Sequence, residues 1–233
     1  MLAERLRTAQ ERIARACRRA GRDPGQVTLV AVTKGVGPAQ IEEAYRLGLR
    51  HFGENRVQEA QGKIGQLSLP GATWHLVGHL QSNKARLALG VFDTVDSLDS
   101  VRLARALGQR SGKPLPVLLE VNISGEATKF GFSPQELPGA LEEIARLPNL
   151  EVQGLMTVAP LVPDPEQARP VFRRLREMGQ ALGLRELSMG MSDDFEVALD
   201  EGATQLRLGR AIFGERSAVH GAPKKSPDFL GLG

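Results

Sequence analysis

Two kinds of segment in this sequence could together carry out chemistry on a phosphorylated aldehyde. Lys34 directly follows the apolar run of residues 27–33. A lysine amine at the end of a buried strand can condense with an aldehyde to form a Schiff base. Residues 188–192 and 207–211 each leave an apolar run through a glycine, and such turns into a helix bind phosphate through backbone N–H groups. These residue types predict an amine next to an anion-binding loop.

Further candidates are found at the ends of predicted strands, and each also has a purely structural explanation. They are Asn55, His75, His79, Asp96, Asn122, Met156, Ser188, Arg207 and Gly209. A histidine on an apolar strand is more often a hydrogen-bonded core residue than a catalyst, and Asn122 could form only a turn. The shared position is the argument for a site, because chance would distribute these residues over both ends of the fold.

The elements that must position these residues alternate between strands and helices. Predicted strands cover residues 27–34, 51–53, 73–78, 91–95, 116–123, 150–158, 187–189 and 204–208, with helical patterns between them. Residues 1–20 form an additional amphipathic helix that ends at Gly21. Ser133 and Glu136 have the spacing of a capping box, and Ser192 is expected to cap a later helix.

Eight strand–helix units predict an α/β fold, a single (β/α)₈ TIM barrel with the extra N-terminal helix across one end. An open doubly wound sheet is the alternative, and counting strands does not exclude it. The glycine-rich dinucleotide motif of that fold is absent, because residues 34–38 lack its third glycine and contain Pro38. We expect residues 1–233 to form one domain whose strand ends bring the candidates to one mouth.

Composition argues against several other classes of protein. The chain has 233 residues, 41% of them hydrophobic, and a net charge of +3, and it contains no apolar run of membrane-spanning length. A single cysteine, Cys17, excludes an internal disulfide and suits a reducing compartment, so a cytoplasmic location is expected. Five arginines between positions 12 and 22 could bind nucleic acid, but the solvated face of a helix is the simpler interpretation. We expect no nucleic-acid and no membrane partner.

A lysine that faces a phosphate pocket has two chemical interpretations. The Schiff base could form with pyridoxal 5′-phosphate, or with the carbonyl of a sugar phosphate as in an aldolase. Were Arg207 beside the pyridine nitrogen of pyridoxal phosphate, its permanent charge would oppose protonation of the ring and weaken the cofactor as an electron sink. Such a site would hold the cofactor but support carbanion chemistry poorly.

Seven segments make the chain similar to a known family. They are residues 31–34 (AVTK), 52–59 (FGENRVQE), 74–84 (WHLVGHLQSNK), 121–126 (VNISGE), 154–156 (GLM), 187–194 (LSMGMSDD) and 207–214 (RLGRAIFG). In this order and spacing, the sequence resembles the pyridoxal-phosphate homeostasis proteins, which are small relatives of the N-terminal barrel of alanine racemase. The resemblance extends over nearly the whole chain.

The resemblance implies seven residues that bind pyridoxal 5′-phosphate: Lys34, Asn55, Met156, Ser188, Arg207, Gly209 and Arg210. Lys34 would form the Schiff base. Ser188, Gly209 and Arg210 would contact the phosphate. Arg207 would lie near the pyridine nitrogen, and Asn55 and Met156 would line the ring. The family commonly has threonine or serine at position 210, so the side chain of Arg210 could add a contact or turn to solvent.

The function implied by the resemblance is that of a non-enzymatic carrier and regulator of pyridoxal phosphate, which could supply recipient enzymes. After Gly214 only 19 residues follow, too few for the second domain that gives alanine racemase an opposing base. The single tyrosine, Tyr45, is expected on an outer helix. A racemase-like enzyme is the main alternative. We expect a monomer, with a weak dimer as an alternative, and we expect Lys63, Lys84 and Lys129 to be surface charges.

Overall fold

Eight parallel strands form a closed barrel at the centre of the protein. A computed structural model describes residues 1–215, and in it each strand pairs with the next while β8 pairs with β1. The predicted TIM barrel is thereby confirmed, and the open sheet is excluded. The expected single domain of residues 1–233 includes residues 216–233, which lie outside the described residues.

The strands and helices alternate as the sequence predicts. The strands are β1 (Thr28–Val32), β2 (His51–Glu54), β3 (Thr73–Leu76), β4 (Thr94–Leu98), β5 (Leu115–Glu120), β6 (Leu150–Met156), β7 (Glu186–Ser188) and β8 (Gln205–Leu208). The helices are α1 (Leu2–Arg19), α2 (Pro38–Arg46), α3 (Val57–Ile64), α4 (Ala85–Leu89), α5 (Val101–Gly108), α6 (Leu137–Ile144), α7 (Arg169–Ala181), α8 (Phe195–Asp200) and α9 (Arg210–Phe213). Within residues 1–215, three 3₁₀ turns cover Pro24–Gln26, Ser82–Lys84 and Pro165–Ala168.

Local sequence signals account for several of these boundaries. Pro38 lies in the first turn of α2, where its missing N–H costs nothing. Ser133 and Glu136 form the reciprocal bonds of a capping box, from Ser133 N to Glu136 Oε2 at 3.1 Å and from Glu136 N to Ser133 Oγ at 3.3 Å. They close the turn that leads into α6, which begins at Leu137, so Pro134 lies in this turn and not in the helix. Gly21 follows the end of α1 with φ of +65°, a conformation that favours glycine.

The extra helix α1 lies in the outer ring of helices rather than across one end of the barrel. It contacts α2, α8 and α9. Arg12 Nε donates to Glu196 Oε1 at 3.1 Å, and Arg19 Nη2 donates to Asp200 Oδ1 at 2.8 Å. The reason for the difference is that α9 has only four residues, so α1 covers this side of the barrel. Two of the N-terminal arginines therefore join α1 to α8.

Strand β4 begins three residues later than the sequence predicts. The expectation was 91–95, whereas the strand is Thr94–Leu98. The apolar residues before it misled the pattern, because the strand itself has polar side chains inside the barrel. Asp96 therefore lies in the middle of β4 and not at its carboxyl end.

Within residues 1–215, none of the helices combines the length and the apolar character needed to cross a bilayer.

Candidate functional site

Lys34 lies at the carboxyl end of the barrel, two residues beyond the end of β1. It is half-buried and lines a cavity of about 380 Å³ together with Val32, Gly209 and Arg210. The lysine ion pairs within residues 1–215 are those of Lys63 and Lys129. The amine of Lys34 is therefore not held by a carboxylate of the described chain, and it faces a cavity of the size that small ligands occupy.

The residue before Lys34 is fixed by a buried ion pair. Thr33 Oγ1 donates to Glu54 Oε1 at 2.6 Å, and Lys63 Nζ donates to the Thr33 carbonyl at 2.7 Å. Lys63 and Glu54 form an ion pair at 2.8 Å in which the glutamate side chain is fully buried. Burial raises the pKa of Glu54, although bonds from Lys63 and Thr33 oppose the rise.

The residue after Lys34 is held by the same lysine through a second glutamate. Gly35 N donates to Glu59 Oε1 at 2.7 Å, and Lys63 bonds that oxygen at 2.7 Å. Burial by itself would raise the pKa of Glu59, but the bonds from Lys63 and Gly35 outweigh it, so the pKa is lowered. The expectation that Lys63 is a surface charge is wrong, since its side chain is 13% exposed and positions the turn that carries Lys34.

Arg207 and Ser188 are bonded to each other inside the barrel. Arg207 Nη1 donates to Ser188 Oγ at 2.6 Å, and Nη2 donates to the Thr157 carbonyl at 2.7 Å. Arg207 pairs in register with Val30 of β1, so it lies below the level of Lys34. Burial lowers the pKa of Arg207, and the charges of nearby carboxylates oppose the shift. Ser188 is fully buried.

A chain of hydrogen bonds continues from Ser188 towards the amino-terminal end of the barrel. Gln205 Nε2 donates to Ser188 Oγ at 2.9 Å and to Asp96 Oδ2 at 2.5 Å. His75 Nδ1 lies 2.9 Å from Asp96 Oδ2, and His75 Nε2 lies 3.0 Å from His51 Nδ1. Burial alone would raise the pKa of Asp96, but the charge of His75 and its hydrogen bonds lower it.

His75 and Asp96 therefore do not belong to the mouth, contrary to the expectation from sequence. Both line a separate cavity of about 340 Å³ with Thr28 and Thr73, the first residues of β1 and β3. This cavity lies at the amino-terminal end of the barrel, because residues at the start of a parallel strand face the opposite end from residues that follow it. Their role in this structure is to support Ser188 and Arg207 from below.

The remaining predicted site residues divide between the wall and the rim of the mouth. Met156 is buried at the end of β6 and pairs in register with Ser188. Asn55 is half-buried after β2, and its Oδ1 is buried without a hydrogen-bond partner. Asn122 organises its own loop, since its amide donates to the Glu126 carbonyl at 2.9 Å and its Oδ1 accepts from Gly125 N at 3.0 Å.

The loops after β7 and β8 meet through Ser192, which the sequence interpretation assigned only to a helix cap. Ser192 Oγ accepts from Ala211 N at 3.1 Å. The expected cap of α8 is wrong, because Asp194 precedes this helix and accepts from Met191 N at 2.6 Å. Residues 187–194 (LSMGMSDD) contain one serine on each side of Gly190. The sequence alone does not show which of the two faces the neighbouring loop.

Arg210 spans the same two loops on the surface. Its guanidinium forms an ion pair with Asp193 and lies 3.5 Å from Glu215. Its side chain is thus directed to neighbouring carboxylates, while its backbone remains next to Gly209 in the Lys34 cavity. Because this ion pair is exposed at the surface, the position of the side chain agrees with the expected solvent alternative, while a phosphate contact by Arg210 stays a prediction.

Glu120 is a mouth residue that the sequence analysis did not identify. It ends β5, and its pKa is raised to about 7 by burial and by the charge of Asp99, against opposition from Arg207 and His79. The sequence signal was weak because Glu120 lies within an apolar run. Of the groups at the carboxyl end of the barrel, Lys34, Gly209 and Arg210 line one cavity, whereas Arg207 and Ser188 are buried in the barrel and Glu120 ends β5.

Comparisons with known proteins agree with this fold. The profile of the family described as alanine racemase, N-terminal domain, matches residues 5–217. The protein named pyridoxal phosphate homeostasis protein in Aquifex aeolicus is 45% identical over 222 residues, which cover 91% of this chain and 97% of that relative. The protein of the same name in Pseudomonas aeruginosa is 44% identical over 227 residues, covering 95% of this chain and 98% of that relative.

A solved structure extends the comparison to three dimensions. PipY of Synechococcus elongatus PCC7942, solved with PLP bound, has a TM-score of 0.80 and 39% identity to this chain, and the match covers 92% of this chain and all (100%) of PipY.

Proposed function

The chain belongs to the alanine racemase N-terminal domain family and, within it, to the pyridoxal phosphate homeostasis proteins, and on that premise we propose that it binds pyridoxal 5′-phosphate as a Schiff base on Lys34. We propose further that it acts in the homeostasis of this cofactor, as a carrier that supplies recipient enzymes, rather than as a catalyst. The observation that carries the proposal is that the half-buried residue Lys34 lines one cavity with Gly209.

The residues present fit pyridoxal 5′-phosphate. The ligand needs an amine for its aldehyde, donors for its phosphate and polar contacts for its ring. Lys34 is free of carboxylate partners in the described chain, and Asn55 Oδ1 is a buried acceptor that awaits a donor. Gly209 lines the same cavity as Lys34, so its backbone is accessible to a ligand bound there.

The assignment of phosphate contacts changes in one respect. We assign Ser192 and the backbone at Gly209 and Arg210 to the phosphate, because Ser192 lies at the junction of the two loops. Ser188 is assigned instead to the positioning of Arg207, since its hydroxyl already accepts from Arg207 and Gln205. Met156 would form part of the apolar wall next to Ser188.

A carrier function is supported by where the acid–base groups lie. When bound, pyridoxal phosphate supplies an electron sink for carbanions. Arg207 keeps a permanent positive charge in the barrel interior, which opposes protonation of a nearby pyridine nitrogen. Tyr45 hydrogen-bonds the Pro70 carbonyl at 2.7 Å and stacks with Arg50 on the outside of the barrel. The chain's single tyrosine is therefore not available as a base at the Lys34 cavity.

A racemase-like activity is the second candidate, and Glu120 is the observation that favours it. A carboxyl group whose pKa is about 7 can both accept and donate a proton at neutral pH. The discriminating measurement is the exchange of the α-proton of free D- and L-amino acids in deuterated water. Exchange that is lost in both Lys34→Ala and Glu120→Gln would establish an enzyme, whereas a cofactor-loaded protein without exchange supports the carrier.

The proposal is tested by the visible absorption spectrum of the purified protein incubated with pyridoxal phosphate, followed by borohydride reduction and peptide mass mapping. We expect an absorption band that borohydride removes, with a pyridoxyl group on Lys34. Lys34→Ala should lose the band, and Lys113→Ala, a change at an exposed lysine, should keep it. Labelling of a different lysine would contradict the Lys34 assignment. Trapping of a sugar phosphate on Lys34 instead of pyridoxal phosphate would identify an aldolase.

A further inference from the structure

A second cavity at the mouth is built from two motifs that the proposed function leaves almost unused. It has a volume of about 370 Å³. It is lined by residues 55–58, which follow β2, and by His79, Leu80, Gln81 and Lys84, which follow β3. We call it the rim cavity. Of its lining residues only Asn55 has a part in the proposed binding of pyridoxal phosphate.

Backbone contacts hold the two segments that line the rim cavity next to each other. Val77 N donates to the Glu54 carbonyl at 2.9 Å. Gly78 lies so close to the other segment that a Cβ built on it would be 2.7 Å from the Asn55 carbonyl oxygen. Since real Cβ atoms essentially never approach an oxygen so closely, the two segments can meet in this way only with glycine at position 78. The cavity is therefore a fixed feature of the fold.

Two cations of the rim cavity have no carboxylate partner among the described residues. Arg56 and Lys84 both line it, and neither takes part in an ion pair within residues 1–215. The charge of Arg56 contributes to lowering the pKa of Glu59. The Glu59 carboxylate, however, is already bonded to Lys63 Nζ and to Gly35 N. An unpaired arginine and lysine on one concave surface attract an anion, because both keep their charge at neutral pH.

His79 adds an oriented ring to this surface. Its Nδ1 lies 2.5 Å from Asp99 Oδ2, and its ring stacks on that of Phe130 with centroids 3.7 Å apart and an interplanar angle of 7°. The aspartate and the phenylalanine together fix the plane of the imidazole. Only Nε2 is then left to bond a ligand. The side-chain amides of Gln58 and Gln81 supply further neutral donors in the same cavity.

We propose that the rim cavity binds the phosphate group of a small phosphate monoester, at a site separate from the Lys34 cavity. Two full positive charges match the two negative charges that such a group carries near neutral pH, and arginine and lysine both bond phosphate oxygens with charge-assisted hydrogen bonds. A carboxylate would use only half of this charge. The volume leaves space for an organic part beside the phosphate. The proposal does not depend on cofactor binding by Lys34.

The test is a titration of isotope-labelled Lys34→Ala protein with inorganic phosphate, followed by backbone amide NMR. We expect saturable shifts of the amide signals of residues 56–58 and 79–81, with no comparable response to succinate or to chloride at equal ionic strength. Because Lys34 is removed, this result is independent of cofactor attachment. The loops with Ser192 and Gly209 report separately, so binding there is not mistaken for binding in the rim cavity.

The matched variants are Arg56→Gln/Lys84→Gln and, as a control with the same charge change, Arg102→Gln/Lys113→Gln at two exposed positions. The first pair should weaken phosphate binding at residues 56–58 and 79–81 at least about tenfold, since a charge-assisted bond is worth about one decade or more in affinity. The control pair should leave it unchanged. Lys84→Gln alone gives an intermediate loss, which provides a second readout should the double variant fold poorly.

Three outcomes would overturn the proposal. One is the absence of saturable shifts at these amides. Another is equal weakening by both pairs of substitutions, which would indicate a response to net charge alone. The third is tighter binding of succinate than of phosphate, which would make the rim cavity a carboxylate site.

Discussion

The guanidinium of Arg207 donates to Ser188 Oγ at 2.6 Å in the interior of the barrel, and the same oxygen accepts from Gln205 Nε2 at 2.9 Å. Ser188 therefore links Arg207 by hydrogen bonds to a buried chain of side chains. The members of this chain are Gln205, Asp96 and His75. A buried arginine held mainly by uncharged oxygens is costly unless every donor is satisfied. This requirement explains why a hydrogen-bonded chain of polar side chains is buried below Arg207.

Removing the hydroxyl of Ser188 should destabilise the protein. Ser188→Ala leaves one N–H of Arg207 and one of Gln205 without their acceptor, and we expect a loss of about 1–3 kcal/mol in the free energy of unfolding. Urea denaturation measures the loss. Ser68→Ala, at an exposed serine, is the control and should change stability by less than about 0.5 kcal/mol. Equal stability of the two variants would show that Ser188 does not carry this bond.

Removing Lys63 should destabilise the protein and loosen the turn that carries Lys34. Lys63→Met leaves Glu54 buried without its cation, and breaking a buried ion pair costs about 3–5 kcal/mol. Because burial already raises the pKa of Glu54, the variant should lose further stability as the pH rises. Adding Glu54→Gln should restore part of the loss, since it removes the uncompensated charge.

The control for this prediction is Lys113→Met, an exposed lysine whose removal should leave stability nearly unchanged. Urea denaturation at pH 5 and pH 8 measures the free energy of unfolding of four proteins. They are the wild type, Lys63→Met, Lys63→Met/Glu54→Gln and Lys113→Met. A Lys63→Met protein that is as stable as the Lys113→Met protein at both pH values would contradict the buried role of this ion pair.

Glu120 should make stability depend on pH between its two pKa values. Its pKa in the folded protein is about 7, whereas its ordinary value is 4.5. An acid whose pKa is raised on folding is favourable while protonated, so its contribution is complete below about pH 4.5 and is lost as the pH rises through 7. Glu120→Gln should therefore become more stable relative to the wild-type protein as the pH rises over this range, by about 3 kcal/mol above pH 7.

The measurement is the free energy of unfolding of Glu120→Gln and wild-type protein at pH 5, 6, 7 and 8. Glu142→Gln replaces an exposed glutamate and should run parallel to the wild type. A constant difference between Glu120→Gln and wild type across the whole range would show that the carboxyl group of Glu120 titrates normally.

Ser192 and Ser188 should affect the binding of pyridoxal phosphate differently. Ser192→Ala removes a proposed phosphate contact at the junction of the two loops, so we expect the dissociation constant to rise about tenfold with little change in stability. Absorbance titration gives the dissociation constant, and Ser68→Ala is again the control. If Ser192→Ala keeps its affinity for pyridoxal phosphate while Ser188→Ala loses affinity, Ser188 and not Ser192 contacts the phosphate.

Much of the architecture was readable in the sequence because it depends on local patterns. Apolar runs of strand length alternate with helical stripes, and Pro38, Gly21 and the pair Ser133 and Glu136 mark helix ends by local backbone chemistry. The position of Lys34 beyond a buried strand was readable for the same reason. Signals of this kind involve residues only a few positions apart, so they do not need the rest of the fold.

The candidate site was predicted less completely, because side-chain direction depends on register. Successive residues of a strand face opposite sides, so one residue of displacement changes which side chains enter the barrel. The start of β4 at Thr94 rather than at residue 91 moved Asp96 from the mouth to the interior. The two serines around Gly190 could not be told apart because their partners, Arg207 and Ala211, belong to the neighbouring unit of the barrel.

From its sequence alone, this protein could be assigned a closed barrel of eight strand–helix units, a family, and a lysine just beyond the carboxyl end of the first strand. Only the tertiary structure decided that Lys63 and Glu54 fix the turn around that lysine, and that Ser188 faces Arg207 while Ser192 faces the next loop. It also decided that residues 55–58, residues 79–81 and Lys84 line a separate cavity. The physical reason is that these contacts join residues distant along the chain, and closure of the barrel alone determines which of them meet.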